Sequence, residues 1–202
     1  MRNLCLVKEG RSAMSELKPI AVLVRNERGV LARVAGLFAR RGFNITSLAV
    51  GETDDPRFSR ITVVVSCDEA IMEQVVKQLN RLVSVIKVMD LSKSARVERG
   101  LALIKVRAKP EDRAEILELV QIFRARVDHV DQTSMVVEVT GERPKVQALI
   151  DMLRPHGILE MARTGQIALG RSETIYQVPG AEAPDEGADS GVYNLYKLEQ
   201  GE

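Results

Sequence analysis

The chain has 202 residues, which is enough for one large domain or two small domains that each bury a core. Its hydrophobic content of 45% and charged content of 28% are typical of a globular protein. A formal net charge of +1 and an aromatic content of 3% exclude a strongly basic protein that stacks nucleic-acid bases on aromatic rings.

The two cysteines, Cys5 and Cys67, show neither metal-ligand spacing nor a disulfide framework, as expected in a reducing cytoplasm. No apolar run approaches the ~20 residues of a membrane span. Residues 1–17 are interpreted as an N-terminal extension without the features of a signal peptide, and Met14 is an alternative initiator. We therefore expect a cytoplasmic protein that does not contact a membrane.

The first part of the chain alternates between two kinds of pattern. Short apolar or β-branched runs predict strands, and apolar residues at helical spacing predict helices. In chain order these are strand 18–25, helix 30–42, strand 44–50 with an irregularity, strand 58–66, helix 69–82 and strand 84–91. The order βαββαβ predicts a ferredoxin-like domain over residues 18–92, an antiparallel sheet with both helices on one face.

The pattern then repeats with a period of roughly eighty residues. The second copy reads as strand 101–108, a helix that begins after Pro110 and is marked by apolar residues at 116–123, strand 126–130, strand 134–140, a helix that begins near Pro144 and is marked by apolar residues at 146–153, and strand 158–168. We expect an α+β protein of two ferredoxin-like βαββαβ domains in tandem, with a polar linker at 92–100 and the second domain over 93–171. The proline- and glycine-rich, acidic composition after residue 171 predicts a largely disordered tail, 172–202, which ends in an apolar-aromatic stretch at 192–198.

The turn between the first strand and the first helix has residues suited to anion binding. The first backbone N–H groups of a helix lack partners within the helix, and the helix dipole is positive there. Gly29 allows close approach or a positive φ, and Asn26 supplies a donor and an acceptor. The turn therefore predicts a receptor for a small carboxylate, with a capped turn that binds nothing as the alternative.

The matching turn of the second copy, 109–113, lacks this pattern. Pro110 removes one N–H donor, and Glu111 and Asp112 are placed where an anion would bind. This difference favours a division of labour, in which the first copy binds a ligand and the second serves a partner.

No pattern typical of an enzyme site is present. His129 and His156 have neither metal-ligand nor catalytic-triad spacing, and no P-loop or dinucleotide-binding motif occurs. Asp54 and Asp55 precede Pro56 between two strands, which predicts a turn rather than a metal site. The central strands are aliphatic, which argues against RNA stacking. We expect no catalytic residue, no metal and no nucleic-acid partner.

A linked series of short motifs closely resembles the regulatory (small) subunits of acetolactate synthase, also called acetohydroxyacid synthase. The resemblance covers about residues 19–171. The motifs are residues 26–34, 36–38, 41–45, 47–48, 53–56 and 59–60.

The resemblance implies that the first domain is an ACT domain, which binds an amino-acid effector, and that the chain has no active site of its own. A member of this family activates the catalytic subunit in branched-chain amino-acid synthesis and usually confers feedback inhibition by valine. Thiamine diphosphate, Mg and FAD are expected on that partner, and no cofactor in this chain.

The resemblance also implies a homodimer through the ACT domains, with the effector at the interface. By matching residue, one subunit would contribute Asn26, Gly29, Val30 and Leu31 to the carboxylate site. The facing subunit would contribute Asn44 and Ile45. The binding free energies of two ligands that differ by one methylene differ by only ~1–3 kcal/mol in one pocket. The choice of valine over leucine or isoleucine therefore rests on the resemblance. A stand-alone tandem-ACT amino-acid sensor with another partner is the alternative function.

Overall fold

The computed structural model describes residues 17–171. The predictions for residues 1–16 and for the tail, including the stretch at 192–198, lie outside the described residues. In chain order the elements are β1 (Leu17–Arg25), α1 (Val30–Arg41), β2 (Ile45–Glu52), β3 (Phe58–Ser66), α2 (Glu69–Leu79), β4 (Val85–Asp90), β5 (Arg96–Arg107), α3 (Arg113–Ile122), β6 (Arg126–Val130), β7 (Ser134–Gly141), α4 (Arg143–Leu153), a 3-10 turn (Arg154–His156), β8 (Ile158–Arg163) and β9 (Ile167–Gly170).

The first sheet has the antiparallel strand order β2-β3-β1-β4. Apolar side chains of β1 and β3 that point to one face form a core with the buried faces of α1 and α2. The largest of these buried residues are Phe38, Ile20, Ile61, Met72 and Leu79. Two helices on one face of an antiparallel four-stranded sheet confirm the predicted ferredoxin-like arrangement.

The second sheet has the order β6-β7-β5-β8, the same path as the first. Its core joins α3 and α4 to alternate residues of β5 and β7, and the largest fully buried members are Ile104, Ile116, Leu149, Ile150 and Leu153. The tandem repeat of two βαββαβ units is therefore confirmed.

Three of the predicted element boundaries are wrong in ways that bear on the site described below. The segment 92–100 is not wholly a linker, because Arg96–Arg107 forms one long strand whose first part pairs with β9. The last strand is not continuous, because β8 ends at Arg163 and β9 begins at Ile167. Helix α2 ends at Leu79 instead of residue 82, and the loop that follows borders the cavity described below.

Helix α1 has boundaries that follow directly from its sequence. Its buried face repeats at helical spacing through Val30, Val34 and Phe38. Gly42 ends the helix in the left-handed conformation with φ 68°, and its N–H donates to Ala39 O. The 12-residue helix is therefore about 18 Å long, which fixes the separation between the turn before it and the strand after it.

Candidate functional site

The turn that joins β1 to α1 exposes the start of the helix. Gly29 is the N-cap residue with φ 79° and ψ 2°, a left-handed conformation that glycine adopts without strain. No side chain caps this end of α1, and its first turn holds no acidic residue. Helix α2 differs, since Asp68 accepts a hydrogen bond from Ile71 N at 2.8 Å. The Val30 N–H donates to Glu27 O at 3.3 Å, and the rest of the start of α1 keeps donors and a positive dipole that can meet an anion.

Asn26 holds this turn to the hairpin between β2 and β3. Its backbone N–H donates to Arg57 O at 2.7 Å. Its side-chain Nδ2 donates to Glu52 Oε1 at 3.1 Å and to Pro56 O at 3.0 Å. Both side-chain amide protons of Asn26 are therefore engaged by the hairpin. The role of Asn26 as a ligand contact stays a prediction.

The hairpin itself is held by Asp55. Its buried carboxylate accepts from Arg57 N at 2.9 Å and from the Arg57 guanidinium, with Nη2 to Oδ2 at 2.7 Å. The side-chain hydrogen bonds from Arg57 hold the pKa of Asp55 below its ordinary value. Residues 53–56 form the predicted turn, and the hydrogen bonds of the Asp55 carboxylate stabilise it.

A cavity of about 210 Å³, which no sequence pattern indicated, lies beside the start of α1. It is lined by Val30, Arg33 and Val34 of the helix and by residues 81–85 of the loop after α2. Arg33 ties the two sides together, because Nη1 donates to Ser84 Oγ and Nη2 to Arg28 O, both at 3.2 Å. The cavity is small and mainly apolar, which suits only a small molecule or a single side chain.

The remaining predicted site residues lie at the other end of the first sheet. Arg25, next to the turn, pairs with Phe58, whereas Ile45 pairs with Val65. These partners are seven residues apart along β3, about 24 Å at ~3.4 Å per residue. Within one chain, Asn44 and Ile45 therefore cannot meet a ligand held at the β1–α1 turn. Gly29, Val30 and Leu31 do lie together, at the start of α1.

Two exposed apolar side chains belong to α1 and β2 of the first domain. Leu31 in α1 is 44% exposed, and Val50 in β2 is 46% exposed. Strand β2 is also an edge of the first sheet, so its outer backbone groups have no partner strand among the described residues. Such an edge is a surface on which another strand can pair.

The equivalent turn of the second copy is tied to the loop between β6 and β7 and carries negative charge. Arg113, at the start of α3, donates from Nη2 to Asp131 O at 2.6 Å and to Gln132 O at 2.7 Å. The N-cap Asp112 and the first-turn Glu115 add negative charge there. This turn is a poor carboxylate receptor, in line with the difference between the copies in the sequence.

Neither a metal cluster nor a membrane span is apparent in residues 17–171. In this part of the chain, no group of three or more His, Cys, Asp or Glu side chains is placed to hold a metal ion. No helix in the same range is long and apolar enough to cross a bilayer.

Comparison with protein families gives two matches that together span most of the described residues. A family model for an "AHAS small subunit-like ACT domain" matches residues 20–87. A model for the "Small subunit of acetolactate synthase" matches residues 99–172.

Similar proteins and a solved structure agree with these matches. The probable acetolactate synthase small subunit of Archaeoglobus fulgidus is 57% identical over 152 residues, which cover 75% of this chain and 95% of the relative. That of Mycolicibacterium smegmatis is 48% identical, with 75% and 89% covered. The crystal structure of the small subunit from Thermotoga maritima superposes with a TM-score of 0.73 at 44% identity, covering 78% of this chain and 98% of that one.

Proposed function

The chain belongs to the family of acetolactate synthase small subunits, and we propose that it activates the thiamine-diphosphate-dependent catalytic subunit and makes it sensitive to valine. The name of the family implies a large catalytic partner. In this proposal the holoenzyme is a cytoplasmic transferase of branched-chain amino-acid synthesis. Thiamine diphosphate, Mg and FAD belong to the partner, and this chain contributes no catalytic residue, metal site or cofactor.

We place the effector at a two-fold interface between ACT domains. A closed dimer uses the same surface on both subunits, so each contact occurs twice. If two β2 edges pair antiparallel, the α1 helices also run antiparallel, and the start of one meets the end of the other. Asn44 follows the last residue of α1 by three positions. One dimer would then bring Gly29 of one subunit near Asn44 and Ile45 of its partner, at two equivalent sites.

The chemistry of the two half-sites fits an amino acid with an aliphatic side chain. The uncapped start of α1 supplies N–H donors to the carboxylate. The Asn44 side chain supplies an amide oxygen that can accept from the ammonium group. Leu31 and Ile45 supply aliphatic surface for an isopropyl group, whereas the Val30 side chain is buried in the core of the domain. The observation that carries the proposal is the exposed, acid-free start of α1 at Gly29 in a chain of this family.

The test is acetolactate formation from pyruvate by the cognate catalytic subunit, with and without this chain, over graded valine. We expect the chain to raise the activity and valine to lower it again. Unchanged activity and unchanged valine response would refute the proposal. If valine binds the chain by calorimetry but the synthase does not respond, the alternative of a stand-alone amino-acid sensor replaces it. Parallel titrations with leucine and isoleucine identify the effector.

A further inference from the structure

The segment between the last two strands lies directly on β2 of the ACT domain. We call residues Thr164–Gln166 the corner. The Gln166 N–H donates to Ser47 Oγ at 2.7 Å. A Cβ added at Gly165 would lie 2.1 Å from Leu48 O and 2.8 Å from Ala49 N. The two backbones are therefore in direct contact at residue 165, and only glycine fits there.

The corner is also fastened to its own domain. Leu101 N donates to Thr164 Oγ1 at 2.9 Å, and Thr164 N donates to Leu101 O at 3.0 Å. A Cβ at Gly100 would lie 2.4 Å from Gln166 Nε2, so β5 closely approaches the buried Gln166 side chain. A movement of the corner would thus be transmitted to β5, the central strand of the second sheet.

Strand β9 extends the same contact across the first sheet. Arg60 Nη2 donates to Ala168 O at 2.8 Å. Ala168 is buried against Ala21 and Leu91 on the side of the sheet opposite the helices. The corner and β9 form one continuous contact between the two halves of the chain.

The corner meets β2 at the place where that strand is irregular. The pairing of β2 with β3 shifts register between Ile45 and Ser47, so Thr46 has no directly opposed partner. Such an irregularity changes the direction of the residues beside it. Ser47 is two residues from Ile45 and three from Asn44, the residues that we assign to the effector site of the facing subunit. The path from effector to corner is therefore very short.

We call the corner seated when the Gln166 N–H donates to Ser47 Oγ, and released when that hydrogen bond is broken. In the seated position the Gln166 residue is buried, with 8% of its surface exposed. Release would therefore expose to water a polar side chain that the contact now covers.

We propose that Gly165 and Gln166 are positioning residues for the effector site, and that effector binding at Asn44 and Ile45 favours the seated corner. The proposal rests on the function proposed above. A ligand shifts such an equilibrium only if it binds one position more tightly, and the coupling is reciprocal. Release of the corner must then weaken the valine response, and valine must slow that release.

The first test is amide hydrogen exchange in the complex of the full chain with its catalytic subunit. The Gln166 N–H reports seating directly, because its acceptor Ser47 lies in the other domain. We expect saturating valine to slow exchange in the corner at least threefold. Unchanged exchange while valine inhibits the synthase would overturn the coupling.

The second test compares two glycine-to-alanine variants. Gly165→Ala places a methyl group against Leu48 O, whereas Gly141→Ala, at the end of β7 in the second sheet, meets only the Lys145 side chain. We expect G165A to reduce the inhibition by saturating valine at least fivefold and G141A to retain it.

The variant Ser47→Ala is less disruptive, because it removes only the acceptor of the Gln166 N–H. It keeps the coupling testable if G165A does not fold. It should speed exchange at the corner and weaken inhibition in the same direction. Full inhibition in S47A despite faster exchange would overturn the coupling. If valine does not inhibit the wild-type complex, the proposed function fails, whereas inhibition without any change in exchange at the corner refutes the coupling alone.

Discussion

Gly29→Asp probes the proposed carboxylate site with little change to its surroundings. A Cβ added at Gly29 meets no atom within 4 Å, so the first atom of the new side chain introduces no clash. The φ of 79° is strained for a residue with a side chain, at about 1–2 kcal/mol. Gly29→Asn is the matched control, because it has the same size and backbone strain but no charge. The difference between the two variants isolates the new carboxylate.

The expected loss of affinity follows from the bonds that the new carboxylate would replace. A hydrogen bond to a charged group contributes about 1.5–3 kcal/mol. If aspartate takes the helix-start donors from valine, the dissociation constant should rise about 10- to 100-fold relative to Gly29→Asn. Like-charge repulsion between the two carboxylates acts in the same direction.

Titration calorimetry with valine measures this difference, and acetolactate formation shows whether activation survives in both variants. Thermal unfolding is the internal check, since equal strain should lower the melting temperature of both by a similar few degrees. Equal valine affinity in Gly29→Asp and Gly29→Asn would show that the ligand's carboxylate does not lie at the start of α1.

Three further predictions concern stability and assembly. Hydrogen bonds from two lysines lower the pKa of Glu69 to about 2. The contribution of ionised Glu69 to stability is therefore complete above pH 4.5 and is lost as the pH falls towards 2. The urea midpoints of wild type and E69Q should converge over that range, and a constant gap between them would contradict the assignment. Leu149→Ala should cost about 2–5 kcal/mol in urea unfolding because the side chain is fully buried, whereas Leu159→Ala, at a position 49% exposed, should cost under ~1 kcal/mol. Val50→Asp on the β2 edge should give a monomer by analytical ultracentrifugation. The control Val130→Asp, at a similarly exposed apolar position of the second sheet, should leave the dimer intact. A dimeric V50D protein would place the interface elsewhere.

The sequence predicted most of the fold because most elements are decided locally. Strands 58–66 and 126–130 were predicted with their observed ends, since turn or helix signals bound each of them. The start of β5 was missed because Arg96–Arg99 pair with β9, some seventy residues further along the chain. A polar run shows no strand pattern when such a distant partner decides its conformation.

Only the part of the candidate site that is formed by residues adjacent in sequence could be predicted. The positive φ of Gly29 and the open start of α1 follow from residues next to one another. The cavity beside Arg33 depends on where α2 ends, and the corner depends on two backbones that meet across domains. For the corner, the one sequence signal was Gly165 inside an apparent strand, where glycine often marks close approach of another backbone.

The register shift in β2 is shared by both copies of the fold, whereas its proposed coupling to the corner is confined to the first copy. Strand β6, the equivalent of β2 in the second copy, also shifts register against its neighbour, between Val127 and His129. Both copies therefore have a displaced residue early in their second strand. In the first copy, the next residue is Ser47, which accepts the Gln166 N–H, and the strand continues under Gly165. If the coupling is correct, regulation depends on this added contact, and changes at Gly165 should affect the valine response while equivalent changes in β6 do not.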